Sequence, residues 1–235
     1  MKLWAAVLAL TLAACTAFTL PQPESPPAPA SAVNRSLEAT VALVDSGSGR
    51  IFCSGVAMYG RVFTVAHCVD GLAGEEPQAL WVGVAFYDDW EDEEDAFDIW
   101  YDYGLVHYDD VQDVAVLVPL SMHSPPAEAV LSQDGWWIGR DVVVVGHPFG
   151  LAYTITKGQI SRKRYDNGGM VWLQISAQVA PGNSGGPVYN QYGEVVGLVL
   201  FLVGYPHLAG VVPTETLEEI LREDNRALRE VHTND

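Results

Sequence analysis

The chain has 235 residues, 49% of them apolar, which is enough for one large domain or two fused small barrels with a real core. Its 30 acidic residues outnumber its 12 lysines and arginines, so the formal net charge is −18. Binding nucleic-acid phosphates needs clustered cations, so this balance argues against a nucleic-acid partner and leaves a basic substrate or partner open.

The first fifteen residues have the features of an export signal. A short charged start, Met1-Lys2, precedes an apolar run from Leu3 to Leu12 that is too short to span a bilayer. The run ends in Leu12-Ala13-Ala14-Cys15, which resembles the lipobox of bacterial lipoproteins, where cleavage leaves an acylated cysteine at the new N-terminus. This predicts a lipid-anchored envelope protein; Thr16, instead of Asp, favours the outer membrane in a Gram-negative host. A plain secretory signal with an incidental Cys15 is the alternative.

A proline-rich stretch follows the signal. Residues 16–36 contain five prolines, which block helix and sheet pairing and favour an extended tether. The folded domain is then expected to span residues 37–235, beginning near Leu37.

Short β-type runs separated by Gly, Pro, Asn and Asp follow from about residue 39. About a dozen strands without interleaved helices predict an all-β fold of barrels or sandwiches. The predicted strands are Thr40–Val44, Ile51–Met58, Val62–Val65, Ala79–Phe86, Leu105–His107, Val114–Val118, Asp141–Val145, Tyr153–Lys163, Val171–Ile175, Gly186–Tyr189, Val195–Leu202 and Gly210–Val212.

One helix is predicted at the C-terminal end of the domain. Thr216 and Glu219 have the spacing of a capping box, and Leu217, Ile220, Leu221 and Leu228 share one face. This face is expected to pack against the second barrel.

Eight carboxylates lie between Asp88 and Asp98. A solvated surface loop is the simplest interpretation, and a partner-binding loop remains open. A calcium site is a further alternative, although no glycine stands where an EF-hand turn needs one.

The segment Gly182-Asn183-Ser184-Gly185-Gly186-Pro187 is the sharpest chemical signal. A serine nucleophile needs an exposed Oγ on a tight turn and backbone N–H groups that face the developing oxyanion. Gly182 can adopt a conformation that other residues avoid, which lets its N–H point inward beside that of Ser184. Taken alone, the segment could also be an ordinary β-turn.

Two further segments supply candidate partners for Ser184. His67 ends the apolar run Phe63-Thr64-Val65-Ala66, and Asp113 begins the apolar run Val114-Ala115-Val116-Leu117. Each residue alone would more often be structural, but the order His, Asp, Ser is one of the known orders of a catalytic triad.

With these motifs the sequence resembles the trypsin-like, chymotrypsin-fold serine proteases, and within them the bacterial HtrA/Deg branch. The resemblance covers about residues 41–213. The motifs that carry it are Thr64-Val65-Ala66-His67-Cys68, Asp113-Val114-Ala115-Val116-Leu117, Val145-Gly146-His147-Pro148-Phe149-Gly150-Leu151, Thr156-Lys157-Gly158-Gln159-Ile160-Ser161, Pro181-Gly182-Asn183-Ser184-Gly185-Gly186-Pro187 and Gly193-Glu194-Val195-Val196-Gly197.

The resemblance implies two six-stranded antiparallel β-barrels and a role for each matched residue. Ser184 would be the nucleophile, His67 the general base and Asp113 the residue that holds the imidazole. The N–H groups of Gly182 and Ser184 would form the oxyanion hole. Three further roles are implied: Val199 and Leu200 would lie on the strand that pairs with the substrate, and Gln178 would be the floor of the primary pocket.

The resemblance also implies a disulfide between Cys53 and Cys68, beside the catalytic His. Asn183 departs from the Asp that activatable trypsins use to bind a newly freed N-terminus, so activation of that type is not expected. His147 stands where relatives often have Asn and is interpreted as a turn residue. No PDZ domain is expected after the protease domain.

The sequence therefore predicts a serine endopeptidase without a cofactor or metal. Gln178 brings no carboxylate to the pocket, so cleavage after small or medium apolar residues is expected rather than after Lys or Arg. Two other functions remain open: a catalytically silent envelope binding module, which would have no need to keep the triad, and a serine esterase with the same triad.

Overall fold

The computed structural model describes residues 36–45, 47–70, 82–86, 101–166, 169–202 and 208–233. The predicted signal with Cys15, the tether before Ser36 and the acidic segment Asp88–Asp98 lie outside the described residues. Within them the chain forms two closed barrels of six antiparallel strands and a C-terminal helix, so the predicted all-β fold is confirmed.

Each barrel is built from one half of the described chain. The strands of the first are β1 (Thr40–Val44), β2 (Ile51–Met58), β3 (Arg61–Thr64), β4 (Val82–Phe86), β5 (Tyr101–Asp109) and β6 (Val114–Pro119). The strands of the second are β7 (Asp141–Gly146), β8 (Thr154–Tyr165), β9 (Val171–Ile175), β10 (Pro187–Tyr189), β11 (Val195–Leu202) and β12 (Ala209–Pro213). The first barrel closes in the order β1-β2-β3-β6-β5-β4 and the second in the order β10-β11-β12-β9-β8-β7.

Several strands are buried on both faces. In β6, Ala115 and Leu117 belong to the interior of the first barrel, whereas Val114 and Val116 belong to a core that also holds Tyr189 of the second barrel. A strand with two buried faces reads as an unbroken apolar run, which is why the segments around the predicted His and Asp look continuous in sequence.

The C-terminal helix, Thr214–Thr233, packs on β11 and β12 of the second barrel, as predicted. Leu217 and Ile220 are buried in the core between the barrels. Among the described residues, none of the helices is both long enough and apolar enough to cross a bilayer.

The predicted capping box at the start of this helix is wrong. The helix begins at Thr214, so Thr216 lies inside its first turn. The hydroxyl of Thr214 donates to the carbonyl oxygen of Val196 at 2.9 Å and ties the start of the helix to β11. Trp136 Nε1 donates to Glu215 at 2.7 Å. Contacts with β11 and Trp136 thus hold the first residues of the helix in place.

Candidate active site

His67 and Asp113 meet because the strands beside them are neighbours. In the antiparallel pair β3 and β6, Thr64 stands opposite Ala115, so the chain leaving β3 lies beside the chain entering β6. His67 Nδ1 is 2.7 Å from Asp113 Oδ2, and the backbone N–H of His67 donates to Asp113 Oδ1 at 2.8 Å. One carboxylate therefore holds both the ring and the main chain of His67.

The environment of this pair favours a charged imidazole. The hydrogen bond that His67 makes to Asp113 raises the pKa of His67, partial burial opposes the rise, and the negative charges of Asp113 and Asp70 add to it. Asp113 has a left-handed backbone with φ 53°, a conformation that Asp tolerates better than most residues. The His67 side chain is 40% exposed and that of Asp113 21%, so the ring is open to a reactant while the carboxylate is more sheltered.

The turn that carries Ser184 is held against the same region. The backbone N–H of Ser54, in β2, donates to the carbonyl oxygen of Ser184 at 2.8 Å. Cys68 Sγ, one residue beyond His67, lies 3.7 Å from that oxygen. The structure thus places the half-buried Ser184 beside the His67 turn, although within the described part of the chain no hydrogen bond joins Ser184 Oγ to His67.

Two backbone N–H groups of this turn are left for a ligand. The carbonyl of Pro181 accepts from Phe149 N at 2.8 Å, and the carbonyl of Asn183 accepts from Gly186 N at 2.9 Å. In a trans peptide the N–H points opposite to the carbonyl, so the N–H groups of Gly182 and Ser184 face away from these partners. Neither donates a hydrogen bond within the described ranges.

Gly182 is required at its position for two reasons. Its φ is 102°, in the left-handed region, and a Cβ there would collide with the carbonyl oxygen of His147. The neighbouring Asn183 is only 3% exposed. Taken together, the site offers a hydroxyl, an imidazole held by a carboxylate, and two amide protons.

A family model of the trypsin-like peptidase domain matches residues 47–198, which include His67, Asp113 and Ser184. The chain belongs to this family.

The curated relatives share part of this trypsin-like chain. A protein named serine protease HtrA-like from Staphylococcus haemolyticus (strain JCSC1435) is 38% identical over 102 residues, covering 37% of this chain and 16% of that protein. A probable periplasmic serine endoprotease DegP-like from Rhizobium meliloti (strain 1021) is 40% identical over 100 residues, covering 41% of this chain and 20% of that protein. The matched regions therefore span a fifth or less of each relative's length.

Two solved structures align with most of this chain. The serine endoprotease from Yersinia pestis aligns with a TM-score of 0.66 and 25% identity, covering 85% of this chain and 67% of that chain. An inactive serine-to-alanine mutant of a protein from M. tuberculosis H37Rv aligns with a TM-score of 0.63 and 25% identity, covering 82% and 89%.

The residues predicted to contact substrate are Val199, Leu200 and Gln178. The N–H of Val199 donates to Gly186 and its carbonyl accepts from Gly185, both at 2.8 Å. Val199 therefore has no amide proton left for a substrate. The register of β11 with β12 shifts between Val199 and Phe201, at Leu200. Gln178 is exposed, and its carbonyl accepts from Thr156 Oγ1 at 2.7 Å.

Two cavities flank the candidate catalytic groups of this trypsin-like chain. The first, of about 570 Å³, is lined by His67, Asp113 and Leu200 among others. Sequence reasoning missed two residues of its wall, Asp70 and Tyr108, which are far apart in the chain; the Tyr108 hydroxyl donates to the Asp70 carboxylate, which raises the pKa of Tyr108 to about 12.

The second cavity, of about 820 Å³, lies on the other side of the Ser184 turn. Gly182 and Pro181 form one of its walls, and the aromatic rings of Phe52 and Phe149 form another. Phe149 is 76% exposed. Gln178 contributes to neither cavity.

Cys53 and Cys68 form a disulfide that connects β2 with the His67 turn. Their Cα atoms are 6.1 Å apart and 15 residues apart in sequence. The bond fixes the turn that carries His67 to the wall of the first barrel. Across the described ranges, no group of His, Cys, Asp and Glu side chains is arranged to hold a metal ion.

Proposed function

We propose that this chain is a serine endopeptidase in which Ser184 is the nucleophile, His67 the general base and Asp113 the residue that orients His67. The observation that carries the proposal is the pair of hydrogen bonds from His67 to Asp113, one from the ring and one from the backbone N–H. They lie beside a serine turn in which two backbone N–H groups donate to no other described residue. Imidazole, carboxylate, hydroxyl and paired N–H donors are the components that acyl transfer requires.

The reaction then proceeds in two halves. Ser184 Oγ attacks the carbonyl carbon of the peptide and its proton passes to His67 Nε2, while the carbonyl oxygen gains negative charge and accepts hydrogen bonds from Gly182 and Ser184. Collapse of the tetrahedral intermediate expels the amine, which takes the proton from His67, and leaves an ester on Ser184. Water repeats the sequence and releases the acid. The hydrogen bond between Ser184 and His67 forms when substrate fills the site.

The proposal is tested on one preparation of the protein with a covalent probe and two substrates. A fluorophosphonate probe should label Ser184, casein should be cleaved, and a short ester should be turned over. Labelling without casein cleavage would indicate an esterase, and an absence of labelling would indicate a silent binding module.

Substrate pairing along β11 and a preference for small or medium apolar residues before the cleaved bond are part of the proposal. Leu200 is one of the residues that line the cavity beside His67, and its side chain is buried in the core. Gln178, six residues before the nucleophile, has no carboxylate that could pair with a Lys or Arg side chain of the substrate. A peptide library should therefore show cleavage after Val, Ala or Leu in preference to Lys or Arg.

Activity is expected to fall on the acidic side of neutrality. His67 must be neutral to accept the Ser184 proton, and its pKa is raised above the ordinary value of 6.5, chiefly by the Asp113 hydrogen bond. Catalysis should therefore be lost as pH decreases through a midpoint above 6.5. The measurement is kcat/KM from pH 4 to 9 on a substrate without ionisable groups. A rate that stays constant down to pH 4 would exclude a histidine base.

We also propose that Cys15 anchors the protein to a bacterial membrane. The support is the apolar run that ends in Leu12-Ala13-Ala14-Cys15 and the proline-rich stretch after it. Both curated relatives are bacterial, and the Rhizobium meliloti protein is named as periplasmic. A tether of about 20 residues, at about 3 Å each when extended, would let the protease reach about 60 Å from the bilayer.

Replacement of Cys15 by serine is expected to abolish lipid attachment and move processed protein to the soluble fraction. Activity on a small peptide should be unchanged, because the catalytic groups lie far along the chain. Fractionation of host cells and incorporation of labelled fatty acid provide the measurement. If the wild-type protein is already soluble and unlabelled, Cys15 is incidental and the signal is an ordinary secretory one.

A further inference from the structure

Groups from both barrels meet behind the Ser184 turn. Ser54 comes from β2 of the first barrel, and His147 directly follows β7 of the second. Ser54 Oγ donates to the carbonyl oxygen of Gly182 at 2.7 Å. It also lies 3.0 Å from His147 Nδ1 and accepts from the His147 backbone N–H at 3.1 Å. Both side chains are completely buried.

The proton count of Ser54 Oγ assigns the tautomer of His147. A hydroxyl has one proton and two lone pairs. Because the proton goes to the carbonyl of Gly182, both lone pairs must accept, one from the backbone N–H of His147 and the other from Nδ1. His147 therefore carries its proton on Nδ1. Complete burial lowers the pKa of His147 to about 3, in agreement with a neutral ring.

Ser54 holds the Ser184 turn at two alternate peptide groups. Its Oγ binds the carbonyl of Gly182, and its backbone N–H binds the carbonyl of Ser184. The peptide between these two carries the Ser184 N–H, and the peptide before the first carries the Gly182 N–H. The peptide after Gly182 lies between the two peptides that carry the donors. Holding its carbonyl therefore restrains the backbone torsions of Gly182 and Asn183, which set the directions of both donors, and Gly182 has no side chain that would otherwise restrict them.

We propose that Ser54 and His147 are positioning residues for the oxyanion hole: His147 Nδ1–H directs the Ser54 hydroxyl onto the Gly182 carbonyl, which fixes the direction of the Gly182 and Ser184 N–H groups. This inference rests on the proposed peptidase function. His147 does begin a turn, as predicted from sequence, since its carbonyl accepts from Gly150 N at 3.0 Å. The inference gives it a second role, in positioning the donors that bind the transition state. Neither residue touches the reacting atoms.

The test compares full-chain Ser54→Ala and His147→Leu with wild type on one peptide substrate. Each should lower kcat by about 10- to 100-fold, somewhat less than the loss of an oxyanion donor itself, with KM unchanged. Affinity for a peptide boronic acid, which mimics the tetrahedral intermediate, should fall by the same factor. His147→Asn should keep activity near wild type, since its amide N–H can replace Nδ1–H.

Ser132→Ala is the matched control. Ser132 is also buried, and its Oγ accepts from Asn190 Nδ2 at 3.2 Å, away from the turn. It should leave kcat and boronate affinity unchanged. Thermal unfolding of every variant separates a loss of fold from a loss of alignment.

Three results would overturn the inference while leaving the peptidase proposal intact: an unchanged kcat in folded Ser54→Ala, an effect confined to KM, or His147→Asn as inactive as His147→Leu. A wild type that neither cleaves peptide nor reacts with fluorophosphonate would instead refute the peptidase proposal. Should the variants fail to fold, ¹⁵N NMR of the wild type decides the matter. A His147 ring protonated on Nε2 contradicts the proposed hydrogen-bond chain, and one protonated on Nδ1 supports it.

Discussion

Replacement of Ser184 by alanine is expected to abolish peptide hydrolysis, with a loss of about 10⁶-fold in kcat. The reason is chemical: Oγ is the atom that attacks, and alanine has no substitute for it. The fold should persist, because the hydrogen bond from Ser54 is made to the main-chain carbonyl of Ser184, which alanine retains. Casein cleavage measures hydrolysis, fluorophosphonate labelling measures the reactivity of Ser184, and thermal unfolding measures the persistence of the fold.

Ser121→Ala is a matched control for this experiment, since Ser121 is an exposed serine after β6. It should leave labelling and hydrolysis unchanged. A Ser184→Ala preparation, purified free of host proteases, that still cleaved casein at the wild-type rate would remove Ser184 from the mechanism.

Replacement of Asp113 by asparagine is expected to lower kcat by about 10⁴-fold. Asparagine tolerates the left-handed backbone of this position and can still accept from the His67 backbone N–H. Its NH₂ group then faces His67 Nδ1, which must become an acceptor. The ring proton moves to Nε2, where it blocks acceptance of the Ser184 proton.

The pH profile of the residual activity should change as well. The midpoint of its decrease in acid should move to a lower pH than in the wild type, because the main cause of the raised His67 pKa is gone. Asp141→Asn is the control: Asp141 is exposed in the other barrel, where it accepts from Gln159 at 2.9 Å. If Asp113→Asn kept wild-type kcat with an unaltered pH profile, Asp113 would have no part in orienting His67.

The sequence by itself predicted the candidate catalytic residues and most of the strands. β1, β2, β9 and β11 have their predicted bounds, because short apolar runs between turn residues report local periodicity. His67 and Asp113 were identifiable because each lies at the end of a strand buried on both faces, which leaves a continuous apolar run in the sequence.

Only the tertiary structure decided how the residues share their hydrogen bonds. The N–H of Val199 is used by Gly186, the first residues of the helix are tied to β11 and Trp136, and Ser54 meets His147 and Gly182 across the two barrels. Ser54 and Gly182 are 128 residues apart in the chain. A local pattern of sequence encodes whether a residue faces a core. The acceptor of the Ser54 hydroxyl proton depends instead on how two separately closed barrels pack against each other, and no short segment of sequence contains that information.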